Sequence, residues 1–274
     1  MSRRPEWWMR VLAKTFHMNE RIIRSTRLPI IGRIVDWLLL LVLSGKNFNI
    51  TYLPINKKVE GAGSTYIPIV VLEELIWSAS HRAIIKRCNC RDGNNCKEHK
   101  VELACILLGD GAAEIDTGVS VHASAEDTIA HARACIDNGL VPFVGRFKLD
   151  NMIWGVKDRG RLLTICFCCR CCCVIMNNKS FMPLASQDSI VKLRGLSMQV
   201  DPERCKGCKV CKENCFAGAI DFVDGFSTIC QDRCKGCGQC EALCPEKAIT
   251  ASVASVEEAV EEVFGRIGSI INYR

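Results

Sequence analysis

Cys205-Lys-Gly-Cys208-Lys-Val-Cys211-Lys-Glu-Asn-Cys215-Phe-Ala-Gly-Ala-Ile220 aligns without a gap on Cys234-Lys-Gly-Cys237-Gly-Gln-Cys240-Glu-Ala-Leu-Cys244-Pro-Glu-Lys-Ala-Ile249. Each copy reads C-x2-C-x2-C-x3-C. Three cysteines at i, i+3 and i+6 wrap one tight loop, so their thiolates converge on a common centre. Gly207 and Gly236 precede the second cysteine of each loop, where the chain must turn closely and aim its amides at sulfur. Between the copies, Asp221–Ile229 with Asp224-Gly225 at its middle reads as a hairpin.

Twenty cysteines in 274 residues call first for a test of disulfides. Three features argue against them. Met1-Ser2-Arg3-Arg4-Pro5 leads into Trp7-Trp8 with no apolar signal core. The chain is longer than disulfide-stapled domains. The cysteines cluster at two- and three-residue spacings, which suit a shared metal. Paired C-x2-C motifs also bind zinc, but three cysteines per loop in a duplicated pattern favour iron–sulfur cubanes.

The repeat resembles the bacterial-type dicluster ferredoxin family over residues 198–252. The resemblance implies two 4Fe–4S clusters, with the fourth cysteine of each run serving the cluster of the other half. One cluster then takes Cys205, Cys208, Cys211 and Cys244; the second takes Cys234, Cys237, Cys240 and Cys215. Pro245 follows Cys244 as in the family, whereas Phe216 follows Cys215, a departure at a position that is not a ligand. The resemblance implies one-electron transfer and no substrate chemistry of its own.

Eleven further cysteines lie upstream, ten of them in two groups. Cys88, Cys90, Cys96 and Cys105 form one group at a spacing foreign to zinc fingers, with His99 inside it and His81 before it. A third iron–sulfur cluster, a structural zinc or no metal are the readings there. Cys166, Cys168, Cys169, Cys171, Cys172 and Cys173 form the second group. Neighbouring residues on a strand face opposite ways, so one extended run cannot aim all six at one cubane. A turn that feeds one cluster, a run divided between two clusters shared with the first group, or a redox-active or persulfide-carrying thiol set remain open. Arg170 is placed to donate hydrogen bonds to sulfide. Cys135 and Cys230 read as non-ligands. His81-Arg82, Cys88-Asn-Cys90-Arg91 and Ile165-Cys-Phe-Cys-Cys169 make this half resemble uncharacterised multi-cluster ferredoxin-like proteins of strict anaerobes, a resemblance that brings no established activity.

The remaining chain gives the frame. Residues 1–50 are basic and apolar, and the run Trp37–Leu43 is too short and too interrupted to span a bilayer. It reads either as a helix docked on the protein's core or a partner, or as an interfacial membrane helix. Residues 51–80 read as a connector punctuated by Pro54, Gly61, Gly63 and Pro68, leading into a helix over 69–80. Ser124 opens a helix that Gly139 closes, Leu140–Val144 and Leu162–Phe167 read as strands, and Ser255 caps a C-terminal helix. The expected class is α+β. A ferredoxin module (186–252) is appended to a cysteine-rich α/β segment (51–185), with a helical arm (1–50) and a terminal helix (253–274).

The formal charge of +6 treats cysteine as neutral. Each oxidised cubane with four thiolates adds about −2, so two bring the chain near +2. The basic balance is therefore no argument for nucleic acid, and no nucleic-acid motif accompanies it. No G-x-G-x-x-G follows a strand, and neither a Walker A motif nor the radical-SAM spacing is present. The expected function is electron transfer as a subunit or dedicated donor of a larger anaerobic redox complex. The expected place is the cytoplasm, with residues 1–50 available for peripheral contact with the inner face of a membrane. A reductase with an open-site cluster at 166–173, or a cluster carrier, are the alternatives. The expected cofactors are two 4Fe–4S clusters and one or two further iron–sulfur clusters.

Overall fold

The structure, a computed structural model, describes residues 4–29, 31–55 and 67–274. The opening Met1-Ser2-Arg3 and the connector residues Gly61 and Gly63 lie outside the described residues. In chain order the elements are α1 (Glu6–Arg24), α2 (Ile31–Val42), β1 (Phe48–Tyr52), α3 (Ile67–Ser78), β2 (Arg82–Ile85), α4 (Asn89–Gly93), β3 (Ile106–Leu108) and β4 (Ser120–His122). Then come α5 (Ala125–Asp137), β5 (Val141–Phe147), α6 (Lys148–Trp154), β6 (Leu163–Cys168), α7 (Val174–Asn178), α8 (Leu184–Asp188) and β7 (Ile190–Val191). The last third holds β8 (Leu196–Val200), α9 (Val210–Asn214), β9 (Ile220–Val223), β10 (Phe226–Ile229), α10 (Gln239–Leu243), β11 (Ile249–Val253) and α11 (Val256–Gly268).

Seven strands form one mixed sheet in the order β4-β2-β3-β6-β5-β1-β7. Every neighbouring pair is antiparallel except β1 and β7. Helices and sheet are mixed as an α+β fold. β6 lies at the centre of the sheet, opposite Ile106 of β3 at Ile165 and opposite Phe143 of β5 at Cys166. Its alternation decides the layout of the molecule. Leu163, Ile165 and Phe167 enter the core formed with α3, α5 and α11. Cys166 and Cys168 belong to the other face, with Phe48, Ile50 and Tyr52 of β1 and with Ile23 and Leu43 from the arm.

Local signals account for several elements. The Ser124 side chain accepts a hydrogen bond from the Asp127 amide at the start of α5, a cap worth about 1 kcal/mol. Asp224 (φ +51°) and Gly225 (φ +90°) make the left-handed two-residue turn between β9 and β10. In α3, Leu72, Leu75 and Ile76 are fully buried, each contributing about 1.5–3 kcal/mol of apolar burial.

The divisions drawn from the sequence at 50, 185 and 252 fall within β1, α8 and β11. The core runs across them. Ile220, Ile249 and Ala251 of the ferredoxin region share one cluster with Leu72 and Leu163 upstream and with Val263, Ile267 and Tyr273 downstream. The tail is also tied by backbone bonds from Ser80 N to the Tyr273 carbonyl (3.0 Å) and from Asn272 N to the Gly160 carbonyl (2.8 Å). The arm docks on the chain itself. α1 packs on α4 and α7, and Thr26 Oγ1 donates to the Phe181 carbonyl at 2.9 Å. No described helix is long and apolar enough to cross a membrane.

Candidate iron–sulfur sites

In the C-terminal module the duplicated sequence gives duplicated geometry. β8 pairs with β11, β9 pairs with β10, and α9 packs on α10. Gly207 (φ +65°) and Gly236 (φ +70°) hold the left-handed turn before the second cysteine of each loop. A Cβ on Gly207 would stand 2.7 Å from the Gly225 carbonyl oxygen, so only glycine fits there. Two further equivalent pairs, Lys209 with Gly238 and Gly218 with Lys247, are left-handed in both copies. The backbone demands the conformation even where the sequence supplies lysine.

One cavity of this module is lined by Cys205, Cys208 and Cys211 from the first copy and by Cys244 from the second. At the other end Cys215 stands close enough to Cys234, Cys237 and Cys240 to disfavour their ionisation. Burial is the larger cause: it raises the Cys234 and Cys240 thiols and pushes Cys237 up to about 12. A group of thiols that resist ionisation alone suits a bound cation, which deprotonates a coordinating thiol outright. Backbone amides point at sulfur at equivalent positions: Ala219 N to Cys215 Sγ at 3.4 Å and Ala248 N to Cys244 Sγ at 3.3 Å. Gly236 N donates to Cys234 Sγ at 3.4 Å. Donor set, turns and amides fit a 4Fe–4S group.

Phe216, which stands where the second copy has Pro245, is buried with its ring 5.1 Å from that of Tyr52 on β1. The departure from the repeat thus joins the module to the large sheet. Cys208 is exposed, whereas Cys237 is half-buried, so the two ends of the module differ in access.

The ten upstream cysteines of the two sequence groups sort into two sets, and each set draws on both groups. The strand carries Cys166 and Cys168 on one face. The chain then turns, with Cys173 N bonded to the Cys169 carbonyl at 3.0 Å, and this turn peels Cys169, Cys171 and Cys172 away. Cys88, Cys90, Cys105, Cys166, Cys168 and Cys173 line a cavity of about 180 Å³. Cys105 and Cys166 approach to 2.7 Å between sulfurs, and Cys173 and Cys168 to 3.1 Å. The second set is Cys96 with Cys169, Cys171 and Cys172, whose sulfurs lie within 4.8 Å of one another. Cys169 also reaches the cavity wall.

Most of the remaining wall is apolar: Phe143 and Phe147 of β5, Ile153 and Trp154 of α6, and Ile23, Leu39 and Leu43 from the arm, which roofs it; Arg87, Asn89 and Arg91 add polar groups. Asp150 lies in the same wall, buried, and accepts a hydrogen bond from Thr164 Oγ1 at 2.7 Å. Burial pushes its carboxyl up to about 7.

Two residues near the thiols carried no role in the sequence reading. Arg91 is 1% exposed. Its guanidinium donates to the carbonyls of Lys100 (3.1 Å), Phe167 (2.9 Å) and Leu103. Burial opposes its charge, but Cys88, Cys169 and Cys105 outweigh burial and raise its pKa. An arginine beside Cys90 in a cysteine cluster was the available signal. Tyr52 is fully buried, and its hydroxyl has no hydrogen-bond partner among the described residues. Burial first, then Cys168, Cys173, Cys237 and Cys166, hold its hydroxyl well above the usual range. Tyr52 therefore stands between the upstream cavity and the Cys237 end of the ferredoxin module.

The other expected candidates have partners of their own. Arg170 donates to Asn177 Oδ1. His99 pairs through Nδ1 with Asn138 Oδ1 at 2.7 Å, and a ring nitrogen lies within 4.8 Å of Cys171 Sγ and of a Glu98 carboxylate oxygen, at the exposed edge of the second set. Cys135 is buried inside α5, and Cys230 sits beside Arg233, whose hydrogen bond lowers its pKa; neither belongs to a thiol set.

Residues 198–221 and 231–250 match the family described as 4Fe-4S binding domain. Comparisons with curated proteins and with solved structures found no match. The chain contains a 4Fe–4S binding, dicluster ferredoxin-like domain, and with its cysteine complement this supports an iron–sulfur electron-transfer protein.

Proposed function

We propose that this protein is an iron–sulfur electron relay whose ferredoxin pair continues into a further cluster in the upstream thiol cavity. When bound, a 4Fe–4S group supplies reversible one-electron redox chemistry at an iron–sulfur core. The observation that carries the reading is the cavity lined by Cys205, Cys208, Cys211 and Cys244, together with Cys215 beside Cys234, Cys237 and Cys240. These two quartets are the proposed ligand sets.

The chain's own residues give the relay a direction. Exposed Cys208 marks the end where a redox partner protein approaches. Phe216 and Tyr52 fill the space between the buried end and the upstream cavity, exclude water, and fix the separation across which an electron passes. The Ala219, Ala248 and Gly236 amides stabilise negative charge on the ligand sulfurs and so tune potential. Six thiols in a largely apolar wall suit the upstream cavity to a third cluster.

The arm supports attachment of the relay to a membrane or to a larger anaerobic redox complex on the cytoplasmic side. Trp7, Val11, Met18 and Ile22 form one exposed stripe on α1, and Ile34, Trp37, Leu38 and Leu41 form another on α2. Arg10, Lys14 and Arg21 flank the first stripe, the pattern of a helix lying at an anionic interface. α1 covers the chain's own core at the same time, so both sequence readings of the arm have a face to serve them.

The test is Cys208→Ala in anaerobically prepared protein. The relay reading expects one ferredoxin centre to be lost or converted to a three-iron form, with the other intact by low-temperature EPR. Unchanged iron content and spectra would count against the ligand assignment.

A further inference from the structure

The two upstream thiol sets differ in scale. A tetrahedral ion with metal–sulfur bonds near 2.3 Å places its sulfurs about 3.8 Å apart. A cubane puts each thiolate on a different iron, so its four sulfurs stand much farther apart. Cys96, Cys169, Cys171 and Cys172 hold all four sulfurs within 4.8 Å of one another, and Cys96 Sγ lies 3.7 Å from Cys171 Sγ. Among the described residues, neither ferredoxin quartet closes to that span, nor does any three of the six thiols around the upstream cavity.

We propose that Cys96, Cys169, Cys171 and Cys172 bind one mononuclear, tetrahedral divalent ion, zinc or ferrous iron, without inorganic sulfide. Tetrahedral four-thiolate sites select these metals. A closed four-ligand shell leaves no position for substrate, so the site is structural. Its surroundings agree. Cys169 and Cys172 are buried, Cys96 is half-buried and Cys171 is exposed, so the ion enters from solvent and is sealed from below. Asn94 Nδ2 donates to the Cys172 carbonyl at 3.1 Å, and Asn177 Nδ2 to the Cys171 carbonyl at 3.3 Å. The first bond holds the loop after α4 against the turn after β6, and the second braces that turn on α7. Buried Arg91, beside Cys169, offsets part of the negative charge of four thiolates around a dication. The ion staples the two segments that carry Cys88, Cys90, Cys168 and Cys173, and so fixes the rim of the cavity.

The site is independent of the electron-transfer reading, and its failure leaves the ferredoxin pair untouched. The experiment is elemental analysis of the full chain, prepared anaerobically, for zinc, iron and acid-labile sulfide, with X-ray absorption at the zinc and iron edges. The expected result is one equivalent of metal unmatched by sulfide. Zinc appears directly; iron appears as an excess of one over sulfide. At the corresponding edge the sulfide-free ion has four sulfur neighbours at about 2.3 Å and no metal neighbour. Cys96→Ser with Cys171→Ser removes that one equivalent and leaves sulfide content and the ferredoxin EPR signals unchanged. The proposal is overturned if iron and sulfide match one for one with no zinc, or if the double variant loses about four irons with four sulfides. Should the variant fail to fold, the wild-type stoichiometry and edge spectra decide alone.

Discussion

Tyr52→Phe tests whether the two cysteine-rich halves are electrically joined. Tyr52 is fully buried on β1, with its ring 5.6 Å from Phe143 and 5.1 Å from Phe216, so phenylalanine fits the same space. The substitution removes one hydroxyl that has no partner among the described residues and lies near Cys168, Cys173, Cys237 and Cys166. In the metal-free chain this hydroxyl is a buried unsatisfied donor, and its loss stabilises by about 1 kcal/mol. Under the relay proposal, with the sites loaded, it would donate to cluster or thiolate sulfur. A hydrogen bond to a charged acceptor is worth about 1.5–3 kcal/mol, and it is stronger for the more negative, reduced form. A redox difference of about 1 kcal/mol corresponds to roughly 40 mV for one electron. The variant should therefore lower the potential of one centre by about 40 mV in an EPR-monitored titration, with the exposed ferredoxin centre unmoved. If every centre titrates as in the wild type, Tyr52 does not face a cluster, and the proposed route between the halves is wrong.

Three further outcomes follow from the same geometry. Asp150 carries a folded-state pKa raised to about 7, so its contribution to stability is full below the ordinary carboxylate range and is lost as pH rises toward 7. Asp150→Asn should gain about 2–3 kcal/mol on the wild type between pH 5 and pH 8 in denaturant melts, and a pH-independent difference would refute the burial argument. Phe216→Ala removes the ring wedged against Tyr52 and should cost about 3–5 kcal/mol, read as a lowered urea midpoint; a loss under about 1 kcal/mol would mean that the module is not anchored there. Lys247 is exposed and left-handed where its repeat partner is Gly218, so Lys247→Gly relieves backbone strain and should leave stability equal or slightly raised, whereas most helix or strand glycines lower it.

Local chemistry was legible in the sequence wherever neighbours along the chain decide the structure. The cysteine repeat with Gly207 and Gly236, the Ser124 cap of α5, and the Asp224-Gly225 turn each depend on residues within one loop, and each appears. The strand read at Leu162–Phe167 appears as β6 and delivers Cys166 and Cys168 on one face. What the sequence left open was set by distant contacts. Cys96 joins Cys169, Cys171 and Cys172, whereas Cys88, Cys90 and Cys105 join the other three, because β3 pairs with β6 and brings Cys105 to Cys166. No spacing rule encodes that pairing. β3, β4 and β7 have two or three residues, too few to show an alternation. Tyr52 gave no signal because β1 reaches its place only by pairing with β5, some ninety residues on. Phe216 was visible as a departure from the repeat; its meaning required the neighbouring sheet.

The central claim is that paired cysteine loops exchange their fourth ligand to hold two cubanes. Counting iron and acid-labile sulfide in the chain as isolated without oxygen tests it most directly. The account predicts at least about eight irons and eight sulfides per chain, with the broad visible absorption of iron–sulfur charge transfer. A colourless protein that carries only zinc and no sulfide would contradict it.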